Sequence, residues 1–370
     1  MVKGSNPFGP TTNYRARNFY NEREFQVVRK GCFVLRWVES ALKLVGNTPM
    51  VRLQSVTQGL DANVFVKCEF VNPSGSIKDR MASKMIEGAE EKGRLRNGGT
   101  IVEMTSGNTG PALAFVGSVK GYKVRLFVPS QWTGTYNPEN RIKIMKLFGA
   151  DVNTVETEDY KDFLKRLSDD EASAAVIAIG MKKCYDLETK NKAFWWADQF
   201  SNMDNPRAHK ESTGREMIEQ LNGKIDAWVA SIGTGGTLLG VAEALTEESL
   251  DAKIVGLEPE DAKVTEWIEK GIMNKFFDRL ELPRRKSIVE AMLEKGIPDE
   301  ILTLGHEEAK NMANRLCQEE GLFCGISSGA NVYAALRIAK KLGKGANVVT
   351  VLVDRRDRYF PEHPNEHYVI

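Results

Sequence analysis

Residues 227–246 read AWVASIGTGGTLLGVAEALT. Ala227–Ile232 is a short apolar run of strand-forming character. Gly236–Thr246 has its apolar residues at helical spacing. Between them Gly233-Thr234-Gly235-Gly236-Thr237 turns the chain from strand to helix. Strand, glycine turn and helix together form the unit from which parallel sheets are built. Glycines there let backbone N–H groups approach an anion, and the helix start adds partial positive charge, so a phosphate is the natural ligand. The turn is not a P-loop, since GxxxxGK[ST] is absent. It also lacks the third spaced glycine of a dinucleotide fingerprint. Read alone, it is equally a glycine turn shaped by packing.

The same alternation extends outward. Strand-like runs lie at Ala62–Phe70, Thr100–Glu103, Lys123–Val128, Val152–Val155, Ala174–Ile179, Lys253–Leu257 and Ala346–Val353. Amphipathic helical patterns lie at Ile77–Glu91, Gly110–Lys120, Pro138–Phe148, Tyr160–Ser168, Glu211–Leu221, His306–Glu320 and Gly329–Leu342. This predicts an α/β fold with mostly parallel sheets covered on both faces. Residues 259–300 break the rhythm with Pro259, Pro283, Pro298 and many charges, and read as surface helix and loop.

Three further turns carry polar chemistry. Thr105-Ser106-Gly107-Asn108-Thr109-Gly110 follows a strand, and its hydroxyls and helix-start amides make a nest for a small carboxylate, or an ordinary N-cap. Asn72-Pro-Ser-Gly-Ser-Ile-Lys78-Asp-Arg80 puts Lys78 in a first helical turn. A cation there opposes the helix dipole, and a polar anion-binding cleft lowers a lysine pKa; both favour a nucleophilic amine of the Schiff-base kind. A lone lysine at such a place reads instead as solvated. Gly325-Ile-Ser327-Ser328-Gly-Ala330 opens another helix, with a hydroxyl suited to a heteroaromatic nitrogen or to capping.

Composition bounds what these turns can serve. The chain has 370 residues, enough for about two domains, and a formal net charge of +1. That balance gives no reason to expect a nucleic-acid binder. No apolar run approaches the length of a membrane span. Five widely spaced cysteines without a CxxC pair suggest neither a disulfide framework nor a zinc knuckle, and the four histidines include no HExxH, so no metal is expected. The expected compartment is the cytoplasm. Residues 1–40 hold seven basic and three acidic residues and read as an N-terminal extension that packs on the body or on a partner subunit.

The four turns in this order resemble the cysteine synthase/cystathionine β-synthase family of fold-type II pyridoxal-phosphate enzymes, from Leu44 to Tyr359. Leu44-Val-Gly-Asn-Thr-Pro-Met-Val-Arg-Leu53, Gln199-Phe200 with Asn205-Pro206, and Asp354–Tyr359 add to the likeness. The resemblance implies two three-layer αβα domains: a large cofactor domain from 41–76 and 199–370, and a smaller mobile one from 77–198. It also implies a homodimer. It assigns Lys78 to the Schiff base and to shuttling the substrate α-proton. It gives Gly233, Thr234, Gly235, Gly236 and Thr237 to the cofactor phosphate, Asn108 to the pyridoxal 3′-oxygen and Ser327 to the pyridine nitrogen. Thr105, Ser106, Thr109 and Gln199 would grip the substrate carboxylate. The implied reaction is β-replacement through an aminoacrylate, joining sulfide to an activated serine to give L-cysteine. Homocysteine or an amine is the alternative acceptor, and a catalytically silent partner-binding relative is the alternative of another class.

Three departures matter. Glu281-Leu-Pro283-Arg284-Arg285-Lys-Ser looks like the Pro-x-x-Arg-Arg segment of the O-phosphoserine-using branch. A guanidinium matches a phosphate bidentately, so Arg284 and Arg285 are candidates for binding the donor; the plain reading is a solvated charge cluster. Tyr136–Arg141 differs from the usual lid segment. About fifteen extra residues lie between Val155 and Gln199, an insertion a surface tolerates. Cys32 is present, but no histidine precedes His209, which speaks against haem of the cystathionine β-synthase kind.

Overall fold

The protein is described here from a computed structural model, which covers residues 37–129, 138–260 and 263–360. The described residues from Glu39 onward form one compact unit. The N-terminal extension up to residue 36, Cys32 included, and Tyr136-Asn137 lie outside the described residues.

Among the described residues the strands are, in chain order, β1 (Met50–Arg52), β2 (Asn63–Cys68), β3 (Thr100–Met104), β4 (Lys123–Pro129), β5 (Asp151–Val155), β6 (Phe194–Trp196), β7 (Ala227–Ser231), β8 (Lys253–Pro259), β9 (Glu300–Leu304) and β10 (Asn347–Leu352). They make two sheets, a six-stranded one in the order β1-β2-β10-β7-β8-β9 and a four-stranded one in the order β5-β4-β3-β6. Every pairing is parallel except β1 with β2. The expected α/β architecture with mostly parallel sheets is therefore present.

Both faces of each sheet are covered, which is why the strands read as apolar runs without alternation. In β7, Ala227 and Val229 join one core with Val64, Val66 and the helices His306–Glu320 and Ile326–Leu342. Trp228 and Ala230 join another with Leu238, Val241 and Met292. In the smaller sheet Ile101, Leu126 and Trp195 pack on the helices Lys78–Glu91 and Thr109–Lys120, while Val102, Phe127 and Trp196 face Ala174, Ala178 and Phe276. Each sheet is the middle of three layers.

One expected strand is a helix. Ala174–Ile179 lies inside the helix Asp169–Lys190. A short apolar run does not distinguish a buried strand from a buried helix turn by period. Local chemistry decides: Ser168 accepts from the Glu171 amide and Glu171 reaches back, a capping box, and the buried positions 174, 175, 178 and 179 recur at helical spacing. The helix Asp169–Lys190, which fills much of the stretch between Val155 and Gln199, thus belongs to the packed core of the smaller sheet. Three strands are absent from the apolar runs. β1 and β6 have only three residues each, and β9 is an edge strand that meets the irregular stretch only at Glu300 and buries only Leu302 and Leu304.

The start of the Lys78–Glu91 helix is held by a buried charge network. Arg80 bonds Glu69 (Nε 2.8 Å, Nη2 2.8 Å) and Glu216 (Nη1 2.6 Å), and Lys67 reaches Glu216 at 2.8 Å. Burial alone would raise the Glu216 carboxyl; Arg80, then Lys67, outweigh it and hold it near about 2. Removing one member of such a network strands the others without partners. Arg80→Ala is expected to cost about 3–5 kcal/mol in urea unfolding. A loss under about 1 kcal/mol would show that the network does not anchor this helix.

Candidate active site

Parallel strands bring their carboxyl ends to one edge of a sheet, where ligand sites form. β3 ends into Thr105–Gly110, β6 into Asp198-Gln199, β7 into Gly233–Thr237 and β10 into Asp354. The Lys78 helix begins after an isolated antiparallel bridge between Ser76 and Asp354, and the Ile77 amide donates to the Val353 carbonyl at 2.9 Å. This stitches the lysine turn to the end of β10.

Lys78 is the first residue of its helix. Burial pushes its ammonium down to about 8, and the Asp354 carboxylate pulls weakly the other way. A substantial neutral fraction at mildly alkaline pH follows, far more than for an ordinary lysine. His209 sits beside it, fully buried. It is kept well below its ordinary value by burial first, with the Lys78 and Arg80 charges adding. Its ring meets Thr213 Oγ1 at 3.0 Å and Thr237 Oγ1 at 3.3 Å, which connects the lysine to the glycine turn.

That turn is held from below. Asn205 Nδ2 donates to Thr234 Oγ1 (3.0 Å) and to the Gln199 carbonyl (2.9 Å), and Asn331 Oδ1 accepts the Ser231 amide (2.9 Å). Gly235 adopts φ +82° at the N-terminus of the helix Gly236–Glu247, a left-handed backbone suited to glycine. A Cβ on Gly236 would meet Asn205 Oδ1 at 2.1 Å, whereas one on Gly233 would meet nothing within 4 Å. The cradle is tight on its buried side and open at Gly233.

Asn108 donates through Nδ2 to Asp354 Oδ2 (2.7 Å), and its Oδ1 accepts from Arg358 Nη1 (2.6 Å) and Arg141 Nε (3.3 Å). Thr105 and Ser106 are buried in the same turn. Thr109 Oγ1 donates to Gln199 Oε1 at 2.6 Å, and Gln199 Nε2 donates to the Met104 carbonyl at 3.1 Å. Ser327, in the first turn of the helix Ile326–Leu342, has no hydrogen-bond partner among the described residues; its neighbour Ser328 accepts the Val353 amide at 2.8 Å.

A family pattern described as "Pyridoxal-phosphate dependent enzyme" matches residues 41–354. The chain belongs to this family. It is 39% identical over 329 residues to the cysteine synthase of Staphylococcus aureus, covering 87% of this chain and 95% of that one. It is 34% identical over 333 residues to the cystathionine beta-synthase of Dictyostelium discoideum, covering 90% of this chain and 63% of that one. Among solved structures, O-acetyl serine sulfhydrylase isoform 3 of Entamoeba histolytica superposes with a TM-score of 0.72 at 30% identity, covering 90% and 93%.

The enzyme is thus pyridoxal-phosphate dependent, and its residues fit that group. The open glycine turn at a helix start suits the phosphate, the amine of Lys78 suits the carbonyl carbon, and the unpartnered hydroxyl of Ser327 suits a ring nitrogen. The arginine pair is not part of this cluster. Arg284 is exposed and pairs with Asp278 (Nε 2.8 Å). Arg285 pairs with Asp198 at 2.7 Å and lies 4.8 Å over the Trp196 ring. Neither contacts Lys78, Asn108, Thr109 or Gln199.

Sequence reasoning left Asp354, His209, Asn205, Arg141 and Arg358 without roles. Asp354 was the most accessible of them, a carboxylate directly after a buried strand. The others act through packing that spacing does not encode. Lys78→Ala is expected to abolish the visible absorption of bound cofactor after gel filtration. Gly233→Asp, placing a carboxylate in the open cradle, is expected to weaken cofactor affinity more than about tenfold by like-charge repulsion. Retention of the band in Lys78→Ala, or full affinity in Gly233→Asp, would contradict these assignments.

Proposed function

We propose that the protein is a β-replacement synthase that makes L-cysteine from an activated serine and sulfide. The observation that carries this reading is the Lys78 amine, brought by burial to about 8 and set beside a nest of helix-start hydroxyls. The relatives named cysteine synthase support it.

When bound, the cofactor withdraws electrons from the α-carbon of the attached amino acid. The protein's residues do the rest. Lys78 Nζ would hold the cofactor and, when free, would take the α-proton and return it at the end. With a pKa near working pH the same nitrogen serves as base and as acid. Thr105, Ser106, Thr109 and Gln199 hold the α-carboxylate, which keeps the α-proton aimed at Nζ. Asn108 would bond the ring oxygen, and the two guanidiniums on its Oδ1 fix its amide so that Nδ2 points at acceptors. Ser327 would offer a hydroxyl rather than a carboxylate to the ring nitrogen, which would not enforce its protonation. The residues of the glycine turn, Gly233 to Thr237, would take the phosphate.

The smaller sheet with its helices, 77–198, is taken as the domain that closes on the donor, the assembly as a homodimer and the compartment as the cytoplasm; the family resemblance supports these. The donor we favour is O-phosphoserine. Its support is Arg285, whose guanidinium is bonded to Asp198, the neighbour of Gln199 in the chain, with Glu188 at 3.9 Å, and a phosphate dianion could replace the Asp198 carboxylate. Arg284, solvated and paired with Asp278, has no part in it.

The test compares kcat/KM for O-phosphoserine and O-acetylserine with sulfide as acceptor. Arg285→Ala is expected to lower the value for O-phosphoserine more than about tenfold and to leave O-acetylserine within about twofold. Arg284→Ala is expected to change neither. A strong O-acetylserine preference insensitive to Arg285→Ala would overturn the donor assignment. Turnover with homocysteine in place of sulfide would favour the alternative acceptor and the cystathionine synthesis for which the Dictyostelium relative is named.

A further inference from the structure

Glu103 is the penultimate residue of β3, and it has no exposed surface. Its Oε1 accepts the Met104 amide at 2.8 Å and Trp196 Nε1 at 3.4 Å; its Oε2 accepts the Gln199 amide at 3.0 Å. It has no ion-pair partner among the described residues. The titratable and charged groups around it come from four segments. Cys184 and Glu188 lie on the helix Asp169–Lys190, Asp198 lies on the turn after β6, and Arg285 and Arg94 lie beyond Asp198. A buried carboxylate without a cation is costly, and an apolar side chain would be cheaper.

What the carboxylate offers is acceptor capacity on both oxygens. Two backbone N–H groups from different strand ends converge on it, and an amide side chain has only one oxygen to give them. The Gln199 backbone reaches this place because Asp198 takes a left-handed φ of +53°, a conformation Asp tolerates better than most residues. Gln199 is thereby braced against the end of β3, where Met104 supplies both the neighbouring amide and the carbonyl that Gln199 Nε2 uses. With its backbone and amide nitrogen fixed, Gln199 Oε1 faces Thr109 Oγ1 at 2.6 Å.

We propose that Glu103 is a positioning residue for the substrate α-carboxylate, clamping Gln199 to β3 so that Gln199 and the Thr105–Thr109 turn form one preassembled grip. This rests on the reading of Thr105, Ser106, Thr109 and Gln199 as that grip. Burial first, then the Asp198 charge, pushes the Glu103 carboxyl up to about 8. Above that pH it accepts both amides. Below it, one oxygen carries a proton and no longer accepts as freely, so the clamp loosens.

The experiment measures L-serine binding to the cofactor-loaded, full-length enzyme by calorimetry, together with kcat at saturating O-acetylserine and O-phosphoserine. At about pH 9, with Glu103 ionised, Glu103→Gln is expected to raise the L-serine Kd about tenfold with kcat within about twofold. The ratio of variant to wild-type Kd is expected to shrink towards one as the pH falls below about 8, a change that a purely structural defect would not follow. In a Gln199→Ala background Glu103→Gln is expected to add less than about twofold, because it acts through Gln199. Should Glu103→Gln not fold, Glu103→Asp, one methylene short of the Gln199 amide, carries the same expectations. If Gln199→Ala weakens L-serine but neither Glu103 variant does, the clamp is overturned and the grip stands. If Gln199→Ala itself leaves the Kd unchanged, the reading of the grip falls and the clamp with it.

Discussion

The carboxylate of Asp354 is the interaction on which the arrangement of the site depends. It is buried at the end of β10, and its Oδ2 accepts from Asn108 Nδ2 at 2.7 Å and from the Tyr359 hydroxyl at 2.9 Å. Arg141 Nη2 stands 3.6 Å away. Its backbone pairs with Ser76, two residues before Lys78, and accepts the Gly325 amide, two residues before Ser327. One residue thus touches the lysine turn, the polar nest and the serine turn, three segments far apart in the chain. Gly325 follows from the same constraint, since a Cβ there would stand 2.1 Å from Asp354 Oδ1.

Charge balance around that carboxylate explains how Lys78 is poised. Burial alone would drive the amine further down, and Asp354 offsets part of the effect. The remaining negative charge is shared with Arg141 and Arg358, both buried and both bonded to Asn108 Oδ1. His209, kept neutral, adds no cation beside the lysine and leaves its ring nitrogen for Thr237. The Arg80 network then holds the helix start itself, with Glu69 and Glu216 closing on one guanidinium. Position and protonation of one amine therefore rest on interactions contributed by both sheets.

Most of this architecture was legible because parallel strands buried on both faces write themselves as apolar runs, and glycine-rich or hydroxyl-rich turns mark their carboxyl ends. Lys78, Asn108, Thr109 and Gly233–Thr237 could be singled out for that reason, whereas Gln199 entered only through the family resemblance. Ala174–Ile179 was misread because six apolar residues fit a strand and a buried helix turn alike; only the Ser168–Glu171 cap, a local bond, separates them. Arg284 and Arg285 were singled out by a likeness to one branch of the family and by the fit of a guanidinium to a phosphate, and neither reveals a partner: Asp278 and Asp198 were not predictable from spacing. Asp354, Glu103 and His209 act through contacts 246, 96 and 28 residues away in sequence, which no local pattern encodes.

The titration of Lys78 reports directly on the balance between burial and the Asp354 carboxylate. Competitive acetylation of the apoprotein across pH, with the Lys78 peptide quantified by mass spectrometry, reads that titration without any turnover. The wild type is expected to show a midpoint near about 8, and Asp354→Asn, which removes the charge but keeps the shape, is expected to move it lower. A wild-type midpoint near the ordinary lysine value, or a midpoint that Asp354→Asn leaves in place, would contradict the role given to Asp354.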